Sequence, residues 1–174
     1  MNEHTELLSD LFSYIVKDHI VNILDAGSGK TSLNHLMKEF PNAQIDAIIY
    51  YNNERKKHSI IENVQSGNYR LIEKNIVKDS ITKKYDLVLA HLLLGEASKF
   101  GNEFRRLFEK ILEIETKYLV IVDIKEDTSI DYAYLEDKLT QRCKVLAKLE
   151  INKNTPQKFE DFIAKNYVGY IIEK

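Results

Sequence analysis

The sequence predicts an α/β sandwich in which a mostly parallel sheet of about seven strands lies between two layers of helices. Short apolar runs of strand length alternate along the chain with stretches that have helical periodicity. Such alternation implies right-handed crossovers and a parallel sheet. The last two apolar runs break the alternation, so we expect one antiparallel strand in the region of a sheet edge.

The individual elements follow from the same patterns. Strands are expected at VNILDA, QIDAIIYY, within YRLIEKNI, at the start of YDLVLAHLLL, and at KYLVIVDI, CKVLAKLEI and YVGYIIE. KYLVIVDI is nearly all apolar, which is typical of a strand covered on both faces. Helices are expected at 4–19, 30–39, 54–67, 102–115 and around 130–142, with Gly67 closing the third of them. NKNTPQKFEDFIAKN is expected to be a loop with a short helix.

Length and composition favour one domain spanning residues 1–174, with the first 20 residues forming a helix that packs on or caps the core. The formal net charge of −2 argues against a surface that coats nucleic acid. No apolar run approaches the length of a membrane span, and the acidic start MNEHTELLSD is unlike a secretory signal. We therefore expect a cytoplasmic protein that does not bind membranes.

The stretch ILDAGSGKTS at residues 23–32 contains GSGKTS, which looks like the phosphate-binding loop of an ATPase or GTPase. That loop needs a glycine five positions before the glycine of GK[ST], and Leu24 stands there. Asp123 follows a strand as the magnesium ligand of such a protein would, but the phosphate-binding loop with which that ligand acts is missing. A nicotinamide-binding site is also disfavoured, because Ser32 stands where that fingerprint needs its third glycine.

The acid ahead of the glycines points to another class of protein. The motif at the end of the first strand is Asp25-Ala26-Gly27-Ser28-Gly29. It resembles motif I of the class I S-adenosylmethionine-dependent methyltransferases, usually written [DE]-x-G-x-G-x-G, and the resemblance covers nearly the whole chain. The resemblance implies a Rossmann-like three-layer sandwich in which the methionine part of S-adenosylmethionine lies across the glycine turn. It also implies that Asp25 lies near the ammonium of that ligand.

The end of the second strand departs from this family. Its members usually carry an acid there for the ribose hydroxyls, and this chain has none. The resemblance implies that adenosine contacts come instead from the residues that follow, Tyr50, Tyr51, Asn52 and Asn53. The alternative is that the tyrosines fill core or surface positions and that the asparagines cap the next helix.

Two later segments complete the expected site. After the third strand, Asn75 matches the position that meets the adenine amino group, and Ile76 matches the apolar neighbour of the ring. After the fourth strand, Ala90 and His91 begin the segment that lies beside the transferable methyl group in this family. His91 and Glu96 stand where an acid or base is expected, since an ordinary histidine can remove a proton near neutral pH. A structural histidine is the alternative interpretation.

The function expected from the resemblance is methyl transfer from S-adenosylmethionine, with S-adenosylhomocysteine as the product and no metal ion. The segment after the fourth strand lacks the Asn-Pro-Pro-Tyr type motif of nucleic-acid amino methyltransferases. The acceptor stays open between a small molecule and an RNA, for which Lys30, residues 55–57 and Arg105-Arg106 offer a basic rim. Monomer and homodimer both stay open. The alternative is a non-catalytic S-adenosylmethionine- or S-adenosylhomocysteine-binding or interaction module, which the missing ribose acid favours.

Overall fold

Strands and helices alternate along the residues that the computed structural model describes, which are 3–49, 53–64, 67–98, 103–151 and 166–174. The strands in these ranges are β1 (Asn22–Asp25), β2 (Gln44–Ile48), β3 (Tyr69–Ile72), β4 (Tyr85–His91), β5 (Thr116–Ile124), β6 (Lys144–Ile151) and β7 (Tyr167–Glu173). The helices are α1 (Glu3–Phe12), α2 (Lys30–Glu39), α3 (Glu54–Asn63), α4 (Leu93–Ser98), α5 (Glu103–Glu113) and α6 (Tyr132–Arg142).

All the strands belong to one sheet with the order β3-β2-β1-β4-β5-β7-β6. β1 to β5 are parallel to one another, whereas β7 is antiparallel to both of its neighbours. The prediction of a seven-stranded, mostly parallel sheet is confirmed, and the antiparallel strand lies one position in from the edge. The strand order reverses between β1 and β4, and ligands of open α/β sheets bind in the crevice at the carboxyl ends of such strands.

The helices cover both faces of the sheet, and each face has its own cluster of buried side chains. On one face, apolar residues of α1, α2 and α3 such as Leu8, Leu36 and Ile60 pack against the strands. On the other face, residues of α4, α5 and α6 such as Leu94 and Phe108 do so. Within the described residues, no helix combines the length and the apolar character needed to cross a bilayer.

The first helix is shorter than its apolar stripe predicts. α1 ends at Phe12, and a separate 3₁₀ turn occupies Lys17–His19. Ser13 donates a side-chain hydrogen bond to the carbonyl of Asp10 at 2.6 Å, so its hydroxyl engages the backbone of the last turn. Ile15 is buried beyond the helix end, whereas Val16 is 56% exposed. The apolar stripe that predicted a helix at 4–19 therefore includes both the helix and a buried residue of the turn that follows it.

The third helix also ends early. α3 stops at Asn63, and Val64 is extended, as a β-branched residue prefers. Gly67 therefore does not close the helix; a side chain there would collide with the sulfur of Met37. Two other predictions, for Tyr50 to Asn52 and for nearly all of NKNTPQKFEDFIAKN, concern residues outside the described ranges.

Candidate functional site

A cleft of about 320 Å³ opens at the carboxyl ends of β1 and β4. Its walls come from α1, from the turn between β1 and α2, from α3 and from the start of α4. The lining residues are His4, Gly27, Gly29, Lys30, Thr31, Ser32, Lys56, Ser59, His91, Leu92 and Glu96. The cleft thus lies where the strand order reverses.

Backbone hydrogen bonds tie the turn after β1 to the sheet on both sides. The amide of Ala26 donates to the carbonyl of Leu89 in β4 at 2.9 Å, and the amide of Ser28 donates to that of Ile48 in β2 at 2.8 Å. These amides are therefore engaged within the protein. The turn does not form the open arch of amides that a phosphate-binding loop requires.

The two glycines of the turn have different surroundings. A Cβ on Gly27 would lie 2.6 Å from Cδ1 of Leu93, so glycine here allows α4 to pack directly on the turn. A Cβ on Gly29 would have no atom of the described residues within 4 Å. The space beside Gly29 belongs to the cleft, so a ligand can approach the backbone closely at this point.

Asp25 ends β1 and is completely buried behind the wall of the cleft. Its Oδ2 accepts a hydrogen bond from Ser32 Oγ at 2.6 Å, and Ser32 Oγ in turn accepts one from the Gly29 amide at 3.1 Å. Among the described residues, the other oxygen of Asp25, Oδ1, has no hydrogen-bond partner. Burial raises the pKa of Asp25 to about 6, although the hydrogen bond from Ser32, the nearby hydroxyl of Ser28 and the charge of Lys56 lower it. The Ser28 hydroxyl itself donates to the backbone carbonyl of Asp25 at 3.1 Å. The unpartnered Oδ1 indicates a missing hydrogen-bond donor, because buried carboxylate oxygens normally accept hydrogen bonds.

His91 ends β4 and pairs with a histidine from the amino end of the chain. Its Nε2 lies 3.0 Å from Nδ1 of His4 on α1, so one of these two nitrogens carries the shared proton. Burial lowers the pKa of His91 to about 3, and the charges of His4, His35 and Lys56 act in the same direction. His91 is therefore neutral near pH 7. It can donate or accept a hydrogen bond, but it is a weak base.

The segment that follows His91 is held by a buried aspartate. Leu92 has a φ of 53°, a left-handed conformation that costs energy for a residue other than glycine. Asp123 at the end of β5 accepts hydrogen bonds from the amides of Leu94 at 2.9 Å and Gly95 at 3.1 Å, the first turn of α4. Burial raises the pKa of Asp123 to about 6 against the effect of these bonds. Asp123 thus fixes the helix that carries Glu96 into the cleft.

An ion pair crosses the cleft. Lys56 on α3 donates to Glu96 on α4, and the two side chains are 32% and 22% exposed. We call these two residues the cross-cleft pair. The first turn of α3 is capped by Asn53, whose Oδ1 accepts the amide of Lys56 at 3.2 Å. Asn53 therefore caps a helix here, which is the alternative that its sequence position left open.

Two residues predicted to contact adenine, Asn75 and Ile76, and one predicted to lie beside the transferable methyl group, Ala90, are not among those that line the cleft. Oδ1 of Asn75 accepts the amides of Val77 at 3.0 Å and Lys78 at 3.3 Å within the β3–β4 connection. Ile76 and Ala90 are buried in the core on the α5 side of the sheet. None of these three lines the cleft in the described structure.

Four of the residues predicted for cofactor binding or catalysis line the cleft together: Gly27, Gly29, His91 and Glu96. Lys30 and Lys56, predicted only as part of a basic rim, also line it. Asp25, Ala26 and Ser28 are buried directly behind it. Sequence reasoning missed His4, although it precedes Leu7 and Leu8 by one helical turn and so belongs to their stripe. It placed Lys56 only within a basic run, where nothing distinguishes it from Lys57. In the part of the chain that is described, no group of three or more His, Cys, Asp or Glu side chains could hold a metal ion.

No protein-family model matches the sequence, and no curated protein matches it. Solved structures, however, match the fold over almost its full length. The N-methyltransferase NodS from Bradyrhizobium japonicum, in complex with S-adenosyl-L-homocysteine, aligns with a TM-score of 0.70 at 12% identity, covering 98% of this chain and 84% of that chain. A putative RNA methyltransferase from Pyrococcus horikoshii gives 0.72 at 16% identity, covering 99% and 83% of the two chains.

A third similar structure is the 16S rRNA methylase ArmA, with a TM-score of 0.63 at 18% identity, covering 98% of this chain and 81% of that chain. At these identities the likeness concerns the fold. Together with the strand order, it defines the class of architecture: the chain has the Rossmann-like fold of class I methyltransferases.

Proposed function

We propose that the protein is an S-adenosylmethionine-dependent methyltransferase. The observation that carries this proposal is the unpartnered Oδ1 of the buried Asp25, whose other oxygen is linked through Ser32 Oγ to the amide of Gly29 in the wall of the cleft. A carboxylate oxygen without a donor fits an ammonium group, bound directly or through water. A glycine with no neighbouring atoms among the described residues fits the close approach of a ligand to the backbone. Both features fit the methionine end of S-adenosylmethionine.

Bound S-adenosylmethionine would supply a methyl group activated by a sulfonium. The residues of this chain would then contribute mainly alignment of the acceptor and exclusion of water. Neutral His91, supported by His4, would orient the acceptor through a hydrogen bond. Its low pKa makes a strong base function there unfavourable.

Within this proposal, a small molecule fits better than an RNA as the acceptor. Half of the six cations suggested for an RNA-binding rim are paired: Lys56 with Glu96, Lys57 with Glu73, and Arg105 with Asp131. Positive charge that is already compensated attracts a phosphate backbone less strongly. The net charge of −2 acts in the same direction.

Calorimetric titration with S-adenosylmethionine and S-adenosylhomocysteine tests the proposal, with ATP and magnesium as the comparison ligand. We expect binding of the two sulfur ligands and none of ATP. Asp25→Asn should weaken that binding about tenfold or more, because a charge-assisted hydrogen bond contributes about 1.5–3 kcal/mol. Asp86→Asn is the matched control, since Asp86 accepts hydrogen bonds from the amides of Val21 and Asn22 at the start of β1, the end opposite to the cleft. Binding of ATP without the sulfur ligands would contradict the proposal.

A non-catalytic binding module of the same fold is the second candidate. It is favoured by the weak basicity of His91 and by the engagement of Glu96 with Lys56, which together leave no free base in the described part of the cleft. Labelled methyl transfer from S-adenosylmethionine to size-fractionated cell extract separates the two candidates. The enzyme should label the small-molecule fraction, whereas the module should bind ligand and label nothing.

A further inference from the structure

The cross-cleft pair joins the two helical layers of the sandwich. Lys56 belongs to α3, which packs on one face of the sheet through Ile60. Glu96 belongs to α4, which packs on the other face through Leu94. The ion pair therefore passes over the carboxyl ends of the strands, and both side chains line the cleft. A ligand that fills this cleft has to meet the pair.

The fate of the pair depends on the chemistry of the ligand. Breaking a partly buried ion pair is unfavourable unless each charge finds another partner. A ligand carboxylate would offer Lys56 a replacement for Glu96. The ligand ammonium already has a candidate partner in the unpartnered oxygen of Asp25. Lys56 in the wall of the cleft and Asp25 behind that wall thus offer one partner for each charge of an amino-acid group.

We propose that Lys56 exchanges partners when the ligand binds: the ligand carboxylate replaces Glu96 on the Lys56 ammonium, and the Glu96 carboxylate is released into the cleft. This inference rests on the proposed function, in which the ligand carries the amino-acid end of methionine. It makes Lys56 a recognition residue. It also makes Glu96 available to the methyl acceptor only after the first ligand is bound.

The exchange predicts opposite effects for the two halves of the pair. Lys56→Met removes the new partner of the carboxylate and should weaken ligand binding. Glu96→Gln removes the competitor at nearly the same size, so the ligand no longer has to break an ion pair. Glu96→Gln should therefore strengthen binding several-fold. A purely structural ion pair would give weaker binding in both variants.

Two ligands that differ at the amino-acid end test the role of the ligand carboxylate. S-adenosylhomocysteine carries the amino-acid end, whereas 5′-methylthioadenosine has the same nucleoside and a thioether but no amino-acid end. Calorimetry on the wild type should give a preference for S-adenosylhomocysteine, and Lys56→Met should reduce that preference at least tenfold, or about 1.4 kcal/mol. Lys57→Met is the matched control, because Lys57 pairs with the exposed Glu73 and does not line the cleft. Its preference should equal that of the wild type.

The outcomes separate this inference from the function on which it rests. If the wild type binds neither S-adenosylmethionine nor S-adenosylhomocysteine, the proposed function fails and the exchange fails with it. If the wild type binds but Lys56→Met keeps the full preference, only the exchange is overturned. Weaker binding by a folded Glu96→Gln also overturns the exchange, so that variant decides the matter if Lys56→Met does not fold.

Discussion

Two aspartates are buried in adjacent strands, and their surroundings are opposite. Asp46 in β2 accepts hydrogen bonds from Arg70 Nε at 2.6 Å, Lys83 Nζ at 2.9 Å and the Tyr85 hydroxyl at 2.8 Å. Asp25 in β1 receives a hydroxyl on one oxygen and, among the described residues, nothing on the other. Each side chain has no exposed surface. Burial alone therefore does not distinguish them.

Electrostatics does distinguish them. Burial acts to raise the pKa of both carboxyls, but hydrogen bonds from Arg70, Lys83 and Tyr85 bring that of Asp46 below its usual range. The pKa of Asp25 stays raised, at about 6. A hollow of about 430 Å³ beside Asp46 is larger than the cleft, yet the acid that lines it is satisfied by its neighbours. We therefore expect ligand binding beside the unsatisfied acid rather than in the larger hollow.

The largest effect on stability should come from Asp46. Asp46→Asn replaces the shared acceptor of three donors with a neutral amide, and we expect it to destabilise the fold by about 3 kcal/mol. The value stays moderate because Arg70 and Lys83 are 61% and 39% exposed and water solvates them. Urea unfolding followed by circular dichroism measures the loss. Asp137→Asn on the surface of α6 is the control, and a loss below about 0.5 kcal/mol for Asp46→Asn would refute the structural interpretation.

Alanine substitutions at the two glycines of the turn should affect the stability of the fold and ligand binding differently. Gly27→Ala should destabilise the fold by about 2 kcal/mol, because the new methyl group collides with Leu93. Gly29→Ala should cost less than 1 kcal/mol, since its methyl group enters open space at the start of α2. It should nevertheless weaken ligand binding, because that methyl group occupies the cleft. Unfolding and calorimetry on both variants test this, and equal effects on the two properties would contradict it.

One substitution should increase stability. Asp25→Asn removes a carboxylate whose folded pKa lies above its unfolded value, so the wild type loses stability as the pH rises from about 4 to about 6. The variant lacks this loss and should be about 1 kcal/mol more stable at pH 7, with the difference vanishing near pH 4. Asp123 also has a raised pKa, but it titrates similarly in the wild type and the variant and so does not contribute to the difference in their stability. Unfolding across this pH range checks the sign, and a destabilised variant at pH 7 would show that Asp25 supports the fold.

Local patterns in the sequence were sufficient for the elements of the fold. The nearly unbroken apolar run of β5 and the stripe of α1 follow directly from periodicity, and the helix at 30–39 has the predicted bounds. The ends of α1 and α3 could not be predicted from periodicity. Ser13 and Val64 terminate these helices through local backbone preferences that the apolar pattern does not reveal. The strand order was not predicted, since periodicity does not say which strands pair.

Single residues and short motifs of the candidate site were predictable, but the contacts between distant residues were not. Asp25, Gly27 and Gly29 form one short motif, and its spacing identified them. The contact between His4 and His91 joins residues 87 positions apart, and the cross-cleft pair joins residues 40 positions apart. Such contacts depend on how the helices pack over the sheet. They leave no signal in a single sequence beyond the residue types themselves.

The placement of β7 determines the order in which the chain can complete its fold. β7 comes after all the other described strands in the sequence, yet it lies between β5 and β6. During synthesis β6 therefore emerges before β7, its one partner among the described strands, and one side of β5 lacks its described partner for more than 40 residues. Strand edges exposed in this way are prone to aggregation. The nascent protein thus depends on its last strand for protection, and a ribosome pause before residue 167 prolongs its vulnerable state.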